Sequence, residues 1–199
     1  MVVGAVTLIV VNTLIYGFVT WLPSFFVQEG LSIATSFGYS LIMSLGAPVG
    51  SAIGAFTADS WGRRPTIVGA SLATILIGSI YPFIKDPVVL VIAGFLLTIP
   101  IYVLVTLLFA IYIPELFPTE VRLRASGICN TFGRGATILT PFMVVALFRR
   151  YGVGGVLSLM IGLLIVQIIV VLSLGVEPKK RRLEEIGSEV PASARPARV

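Results

Sequence analysis

The feature that most constrains this chain is a series of six long apolar runs separated by short polar segments. A run of about 20 apolar residues crosses about 30 Å of hydrocarbon as an α-helix, which satisfies its own backbone hydrogen bonds there. The sequence therefore predicts an all-α membrane protein with six transmembrane helices, forming one bundle over residues 1–176. The runs cover approximately residues 3–27, 35–57, 66–84, 88–113, 125–148 and 156–176.

Composition excludes several other classes of protein. Only 12% of the residues are charged and 57% are hydrophobic, whereas a soluble domain averages about 25% charged residues. The chain has no histidine and a single cysteine, Cys129, which argues against imidazole metal sites, histidine-based catalysis and zinc clusters. We therefore expect no metal, no cofactor and no enzymatic activity. The basic residues lie in short loops and at the C-terminus, so we expect no nucleic-acid partner.

The positions of lysine and arginine predict the orientation of the chain, because cytoplasmic loops are enriched in both residues. The poorer side carries Lys85, Arg149 and Arg150. We expect an integral protein of the plasma membrane, in a bacterium the inner membrane, with both termini in the cytoplasm. We expect the polar tail, residues 177–199, to be cytoplasmic and largely disordered. The richer side carries Arg63, Arg64, Arg122, Arg124, the run from Lys179 to Arg182, Arg195 and Arg198.

Polar residues recur at three- or four-residue steps in four of the runs, which places each set on one face of a helix. Such residues are costly in hydrocarbon and often mark a path for a substrate. The simplest arrangement has the first, second, fourth and fifth helices around a polar cavity, with the third and sixth helices facing lipid. In the alternative, the serines and threonines bond to their own helix backbone. The stripes are Asn12, Tyr16 and Thr20; Ser36, Ser40 and Ser44; Thr98, Tyr102 and Thr106; and Ser126, Asn130, Arg134 and Thr137.

Arg134 is the one formal charge inside the runs, and an arginine at the centre of a membrane helix costs about 2.5–3.5 kcal/mol. Its partner is an anionic ligand, water, backbone carbonyls or an acid on another chain, because no run contains a carboxylate. In the functional interpretation the guanidinium binds the carboxylate of a substrate. In the alternative it pairs permanently with a missing partner helix. The predicted substrate-binding residues are Asn12, Tyr16, Tyr102, Asn130 and Arg134, with the tyrosines packing an apolar or aromatic body.

Glycines and prolines predict packing and bends in the same helices. Gly46, Gly50 and Gly54 form a ladder of about one glycine per turn, which allows close approach to another helix of this chain or of a partner. Prolines remove a backbone donor and therefore predict bends. They are Pro48, Pro100 and Pro141.

Three segments on the predicted cytoplasmic side mix both signs of charge. The first reads D-S-W-G-R-R over residues 59–64, with a tight turn expected at Gly62. The second reads P-E-L-F-P-T-E-V-R over residues 114–122, and the third reads E-P-K-K-R-R-L-E-E-I over residues 177–186. Charged cytoplasmic loops are common, so each segment alone is weak evidence, but three in this order are much more specific.

In these segments the chain resembles the C-terminal six-helix half of the major facilitator superfamily, especially its sugar-porter-like and organic-acid carriers. The resemblance spans residues 1 to about 186. It implies half of a twelve-helix fold, built from two three-helix inverted repeats. It also implies a cytoplasmic gate in which charged loop residues pair when the inner side is closed. The gate residues would be Asp59, Gly62, Arg63, Arg64, Glu115, Arg122, Glu177 and Glu184.

The resemblance implies secondary active transport of a small solute by alternating access, with this chain as the C-terminal half of a carrier. The first run lacks the paired glutamines typical of sugar porters, and together with Arg134 this favours an organic anion, such as an aromatic or other carboxylic acid. A sugar or other metabolite carrier half and a truncated, non-transporting membrane protein are the alternatives. The expected partners are a small-molecule substrate, the lipid bilayer, and either an N-terminal six-helix half, missing or separate, or a second copy. If transport is proton symport, the coupling acid lies outside these runs.

Overall fold

The computed structural model describes residues 1–28, 30–84, 86–117 and 119–175, and these residues are almost entirely helical. Within them, five helical stretches are long and apolar enough to cross a membrane. The sequence analysis expected six, and the difference arises because the last two runs lie in one continuous stretch. The stretches are Val2–Val27, Ile33–Ser60, Arg63–Phe83, Pro87–Glu115 and Arg122–Leu174.

The first stretch is interrupted about two thirds of the way along. It consists of α1 (Val2–Gly17), a 3-10 turn (Val19–Trp21) and α2 (Leu22–Gln28). Pro23 lies just after the turn and has no N–H to donate to the carbonyl group four residues earlier, so a regular α-helix loses a hydrogen bond here. The chain accordingly forms two helical units where the sequence analysis expected one helix over residues 3–27.

The second stretch is interrupted in the same way. The helices α3 (Ile33–Ser44) and α4 (Gly46–Ser60) are separated by Leu45. Pro48 lacks the N–H that would donate to the carbonyl group of Ser44, which explains why the helical pattern breaks one turn before this proline. The bend expected at this proline therefore takes the form of a break between two helices.

The third and fourth stretches change helix type near their ends. They comprise α5 (Arg63–Ile80) with a 3-10 turn (Tyr81–Phe83), and then α6 (Pro87–Thr106), a π-helical turn (Leu107–Tyr112) and α7 (Ile113–Glu115). The start of α6 is capped by Asp86, whose Oδ1 accepts the N–H groups of Val88 and Val89 at 2.9 and 3.1 Å. This cap satisfies two of the donors that a helix start leaves free.

The last stretch, α8 (Arg122–Leu174), folds back on itself at Gly152. Gly152 has φ 64° and ψ −158°, a conformation that only glycine adopts without strain. A methyl group added to Gly17 would lie 3.2 Å from Cγ2 of Thr140 and 2.8 Å from Cε of Met160. In one straight helix those two residues would be about 30 Å apart, so their shared contact shows that the chain reverses.

The two arms of α8, residues 122–151 and 153–174, hold α1 between them in the centre of the bundle. The second arm also packs on α5, where Nε2 of Gln167 donates to Oγ of Ser71 at 3.1 Å between fully buried side chains. The remaining contacts join α6 to α3, α4 and α5. Every long helix thus packs on at least one helix distant in sequence.

The glycine ladder packs against α6 of the same chain. Gly46, Gly50 and Gly54 are all buried. A methyl group added to Gly46 would lie 2.7 Å from a backbone oxygen of α6, and one added to Gly50 would overlap another. The absence of side chains therefore permits backbone contact between α4 and α6. The facing carbonyl groups belong to Phe95, Ile99 and Val103.

We expect Gly50→Ala to destabilise the bundle, because the added methyl group has no room against α6. Overpacking of this kind costs about 1–3 kcal/mol, so the midpoint of thermal unfolding in detergent should fall. Gly38→Ala is the matched control, since nothing lies within 4 Å of a methyl group added at Gly38 and alanine favours a helix over glycine by about 1 kcal/mol. Equal midpoints for the two variants would contradict the close packing.

Candidate functional site

The charged residue of the apolar runs is hydrogen-bonded to a neighbouring helix. Nη1 of Arg134, on the first arm of α8, donates to the hydroxyl oxygen of Tyr16 on α1 at 2.8 Å. Arg134 is exposed and Tyr16 is half-buried. Among the described residues, no carboxylate lies within ion-pair distance of Arg134. The guanidinium is therefore positioned by a neutral partner, and its charge is not compensated within this part of the chain.

Two unpartnered polar atoms lie on the same face of α8 as Arg134. Oδ1 of Asn130, one turn before Arg134, is buried and makes no hydrogen bond to any described residue. Oγ of Ser126, one further turn away, has the same property. A buried acceptor left without a donor costs about 1–3 kcal/mol. This face of α8 therefore presents the guanidinium of Arg134 and two oxygen atoms without hydrogen-bond partners, spaced one helical turn apart.

Asn12 and Tyr102 are held by other elements. Asn12 is 1% exposed, and its Nδ2 donates to the carbonyl oxygen of Leu8 at 2.8 Å, in the contact between α1 and Gly133 of α8. Tyr102 is half-buried on α6, where its Cβ would lie 3.0 Å from a methyl group added to Gly50. Of the five predicted substrate-binding residues, the structure joins Tyr16 to Arg134 by a direct hydrogen bond.

Most hydroxyl groups of the polar stripes bond to their own helix. The Oγ atoms of Ser36, Ser40 and Ser44 donate to carbonyl oxygens three or four residues earlier, at 2.7–2.9 Å. Thr98 and Thr137 do the same. For these residues the structure supports the backbone-bonding alternative. Their period of three or four residues follows from helix geometry, because a short hydroxyl side chain reaches the preceding turn.

The predicted cytoplasmic gate contains a two-pronged ion pair. Nε and Nη2 of Arg63 donate to Oε2 and Oε1 of Glu115 at 3.0 and 2.9 Å. Nη1 of Arg63 donates to the carbonyl oxygen of Ala58 at 3.0 Å and lies 3.5 Å from Oδ1 of Asp59. One guanidinium thus connects the start of α5 to the end of α4 and to α7, and such paired geometry strengthens a charged hydrogen bond.

The other predicted gate residues have different partners. Gly62 adopts φ 96° at the turn before α5, and Nη2 of Arg64 donates to the carbonyl oxygen of Leu172 at 2.7 Å, at the end of α8. Nε of Arg122 makes a long bond of 3.4 Å to the carbonyl oxygen of Phe117. Glu177 and Glu184 lie outside the described residues, as do Pro118 and the rest of the predicted tail.

The sequence analysis did not identify the pairing of Tyr16 with Arg134. The pairing joins positions 118 residues apart, and helical spacing says nothing about contacts between helices. The part of the chain that the structure describes holds no group of three metal-ligating side chains.

Comparison with known proteins identifies the family. A sequence model of the Major Facilitator Superfamily matches residues 2–141 of this chain. The chain belongs to the major facilitator superfamily. The all-helical fold described above agrees with this membership, and members of this family transport small solutes across membranes.

Two curated relatives match most of the chain. The inner membrane metabolite transport protein YdjE of Escherichia coli is 36% identical over 191 residues, which is 94% of this chain and 41% of that protein. The niacin transporter NiaP of Acinetobacter baylyi is 31% identical over 175 residues, or 86% of this chain and 39% of that protein. The chain thus spans less than half the length of the relatives it matches.

A solved structure supports the fold. The chain superimposes on a crystal structure of a D-xylose–proton symporter with a TM-score of 0.62 at 16% sequence identity. The match covers 94% of this chain and 49% of the symporter chain. At this identity the likeness concerns the fold.

We expect a double-mutant cycle on Arg63 and Glu115 to show coupling. Neutral variants Arg63→Gln and Glu115→Gln, alone and combined, should give an interaction free energy of about 1 kcal/mol, since the pair is two-pronged and partly shielded from water. The measurement is the free energy of unfolding in mixed micelles. The control cycle pairs Arg122→Gln with Glu115→Gln and should give coupling near zero. Equal coupling in both cycles would contradict a specific Arg63–Glu115 pair.

Proposed function

We propose that this chain is the C-terminal half of a secondary carrier that moves a small organic anion, such as an aromatic or other carboxylic acid, by alternating access. Membership of the major facilitator superfamily supports transport of a small solute. The coverage of about two fifths of each relative supports the assignment to one half of a longer carrier. Niacin, which names one relative, is itself an aromatic carboxylic acid.

The main support for an anionic substrate is the uncompensated charge of Arg134. One Nη1 hydrogen is used on Tyr16, and the guanidinium retains four further N–H donors. The hydroxyl of Tyr16 accepts from Arg134, so its own proton remains available. The two side chains together therefore offer a planar set of donors and a positive charge, which matches a carboxylate.

The orphaned oxygen atoms of Ser126 and Asn130 extend this site along α8. A buried amide oxygen requires a donor, and a substrate that carries a hydroxyl, an amine or a ring N–H supplies one. In this proposal Arg134 and Tyr16 bind the carboxylate, and Asn130 selects among acids by hydrogen bonding. Asn12 contributes by fixing the packing of α1 on α8. Tyr102 contributes part of the cavity wall from its position on α6.

The proposal extends to the architecture of the whole carrier. The two arms of α8 serve as the fifth and sixth spans of a six-helix half made of two inverted three-helix repeats, and an N-terminal half or a second copy completes the cavity. Both termini face the cytoplasm, where Arg63, Glu115 and Asp59 form the closed gate. A group of exposed or weakly shielded ion pairs is easily broken, as a gate that opens in each cycle requires. The coupling acid of a proton symporter then lies in the other half.

We expect Arg134→Gln to abolish most uptake of the acid while leaving membrane insertion intact. Loss of a charged hydrogen bond of about 1.5–3 kcal/mol predicts a fall in apparent affinity of about 10- to 100-fold. Tyr16→Phe should cause a smaller loss, of about threefold to tenfold, because it removes a neutral hydroxyl. The measurement is uptake of radiolabelled benzoate and nicotinate by cells producing the chain together with the N-terminal half of the Escherichia coli relative.

Two controls make this experiment decisive. Ser79→Ala removes an exposed hydroxyl that bonds to the carbonyl oxygen of Ile75 and should leave uptake unchanged. Cells that produce the chain alone should show no uptake if two halves are required. Normal uptake by Arg134→Gln, or uptake of D-xylose in place of both acids, would refute the anion site.

A further inference from the structure

A cavity among the described residues lies at the opposite end of the bundle from the Arg63–Glu115 pair. Its volume is about 690 Å³, which falls within the range of small-molecule sites. It is bounded by α2, α3, the 3-10 turn after α5, the start of α6 and the reversal of α8. We call it the aromatic pocket and define it by Phe25, Phe26, Tyr39, Tyr81, Leu90 and Tyr151.

The walls of the aromatic pocket are fixed by contacts between rings. Phe26 and Tyr39 meet edge to face with centroids 5.9 Å apart, which joins α2 to α3. Phe25 stacks on Phe148 of α8 with centroids 4.9 Å apart. Each such ring pair stabilises its geometry beyond the contribution of burial alone. The pocket therefore offers pre-formed flat surfaces, which suit an aromatic ligand.

Tyr81 provides a polar group that the protein does not use. Its side chain is 4% exposed and lines the pocket, with its ring edge to face with Phe18 at 5.5 Å. No described residue forms a hydrogen bond with its hydroxyl, so this group is available to a ligand. An acceptor on a ligand in the pocket would satisfy it.

The charges around the pocket favour an anion. The guanidinium of Arg150 lies over the ring of Tyr151, with Cζ 5.5 Å from the ring centroid, and Arg149 precedes it on the same helix end. From the other elements of this end, the described charged group is Asp86, whose Oδ1 is occupied by the start of α6. Among the described residues, this end of the bundle thus carries two cations and one carboxylate that is already hydrogen-bonded.

We propose that the aromatic pocket is a second binding site, separate from Arg134, for a small aromatic carboxylate. The ring lies between the aromatic walls, and the carboxylate accepts from Tyr81 and is attracted by Arg149 and Arg150. Along α8, Tyr151 is about 25 Å from Arg134, so one small acid cannot occupy both sites. The pocket stands on its own contacts and does not require that the chain transport the same acid.

The test is equilibrium binding of radiolabelled benzoate to the full chain in lipid nanodiscs. All variants carry Arg134→Gln, which removes the other anion site. This background should still bind benzoate, and Leu90→Trp, which fills the pocket, should weaken binding at least about tenfold. Tyr81→Phe, which removes the hydroxyl alone, should weaken it about threefold to tenfold. Leu76→Trp on the exposed face of α5 is the matched control and should bind like the background.

Each outcome separates this site from the proposed function. If Arg134→Gln alone eliminates all benzoate binding, the pocket proposal is overturned and the Arg134 site stands. If the background binds but Leu90→Trp and a second filling variant, Val153→Trp, bind equally well, benzoate resides elsewhere and the pocket proposal also fails. Competition by benzyl alcohol as effective as by benzoate would overturn the role of the carboxylate. Helical content by circular dichroism and monodisperse elution verify that each variant is folded.

Discussion

A backbone group inside hydrocarbon has no water to bond to, so each N–H and C=O group that leaves the helical pattern requires a partner within the protein. This constraint determines where the chain departs from regular helix. The departures at Val19–Trp21 and Leu45 each precede a proline by about one turn, where a donor is missing in any case. The reversal at Gly152 occurs where a positive φ carries no steric cost.

Polar side chains meet the same requirement in two different ways. A short hydroxyl such as that of Ser40 is satisfied one turn back on its own helix. The guanidinium of Arg134 is too long and too rich in donors for this, and it reaches across to Tyr16. Hydrogen bonding alone does not neutralise it. Polar residues of the first kind are fully hydrogen-bonded within the fold. Those of the second kind keep donors and charge that a ligand can bind.

The apolar runs predicted the helical content and approximate positions of the spans, because hydrocarbon thickness sets their length. The serine stripe was uninformative, since the same period arises whether a hydroxyl faces a cavity or its own backbone. The ladder at Gly50 predicted close packing but not its partner, because spacing describes one surface and not the one opposite. The contacts of Arg63 were expected from family resemblance, whereas the reversal at Gly152 and the pocket around Tyr81 depend on how distant helices meet.

The adjacent residues Arg63 and Arg64, just after the turn at Gly62, bind two different helix ends, those of α7 and α8. Arg63 donates two hydrogen bonds to the carboxylate of Glu115. Arg64 donates a single hydrogen bond to the neutral carbonyl oxygen of Leu172. A charged pair with two prongs is harder to part than one bond to a neutral group. The Arg64 contact to the second arm of α8 is consequently the weaker of the two, so the contacts at this end of the bundle have an intrinsic order of breaking.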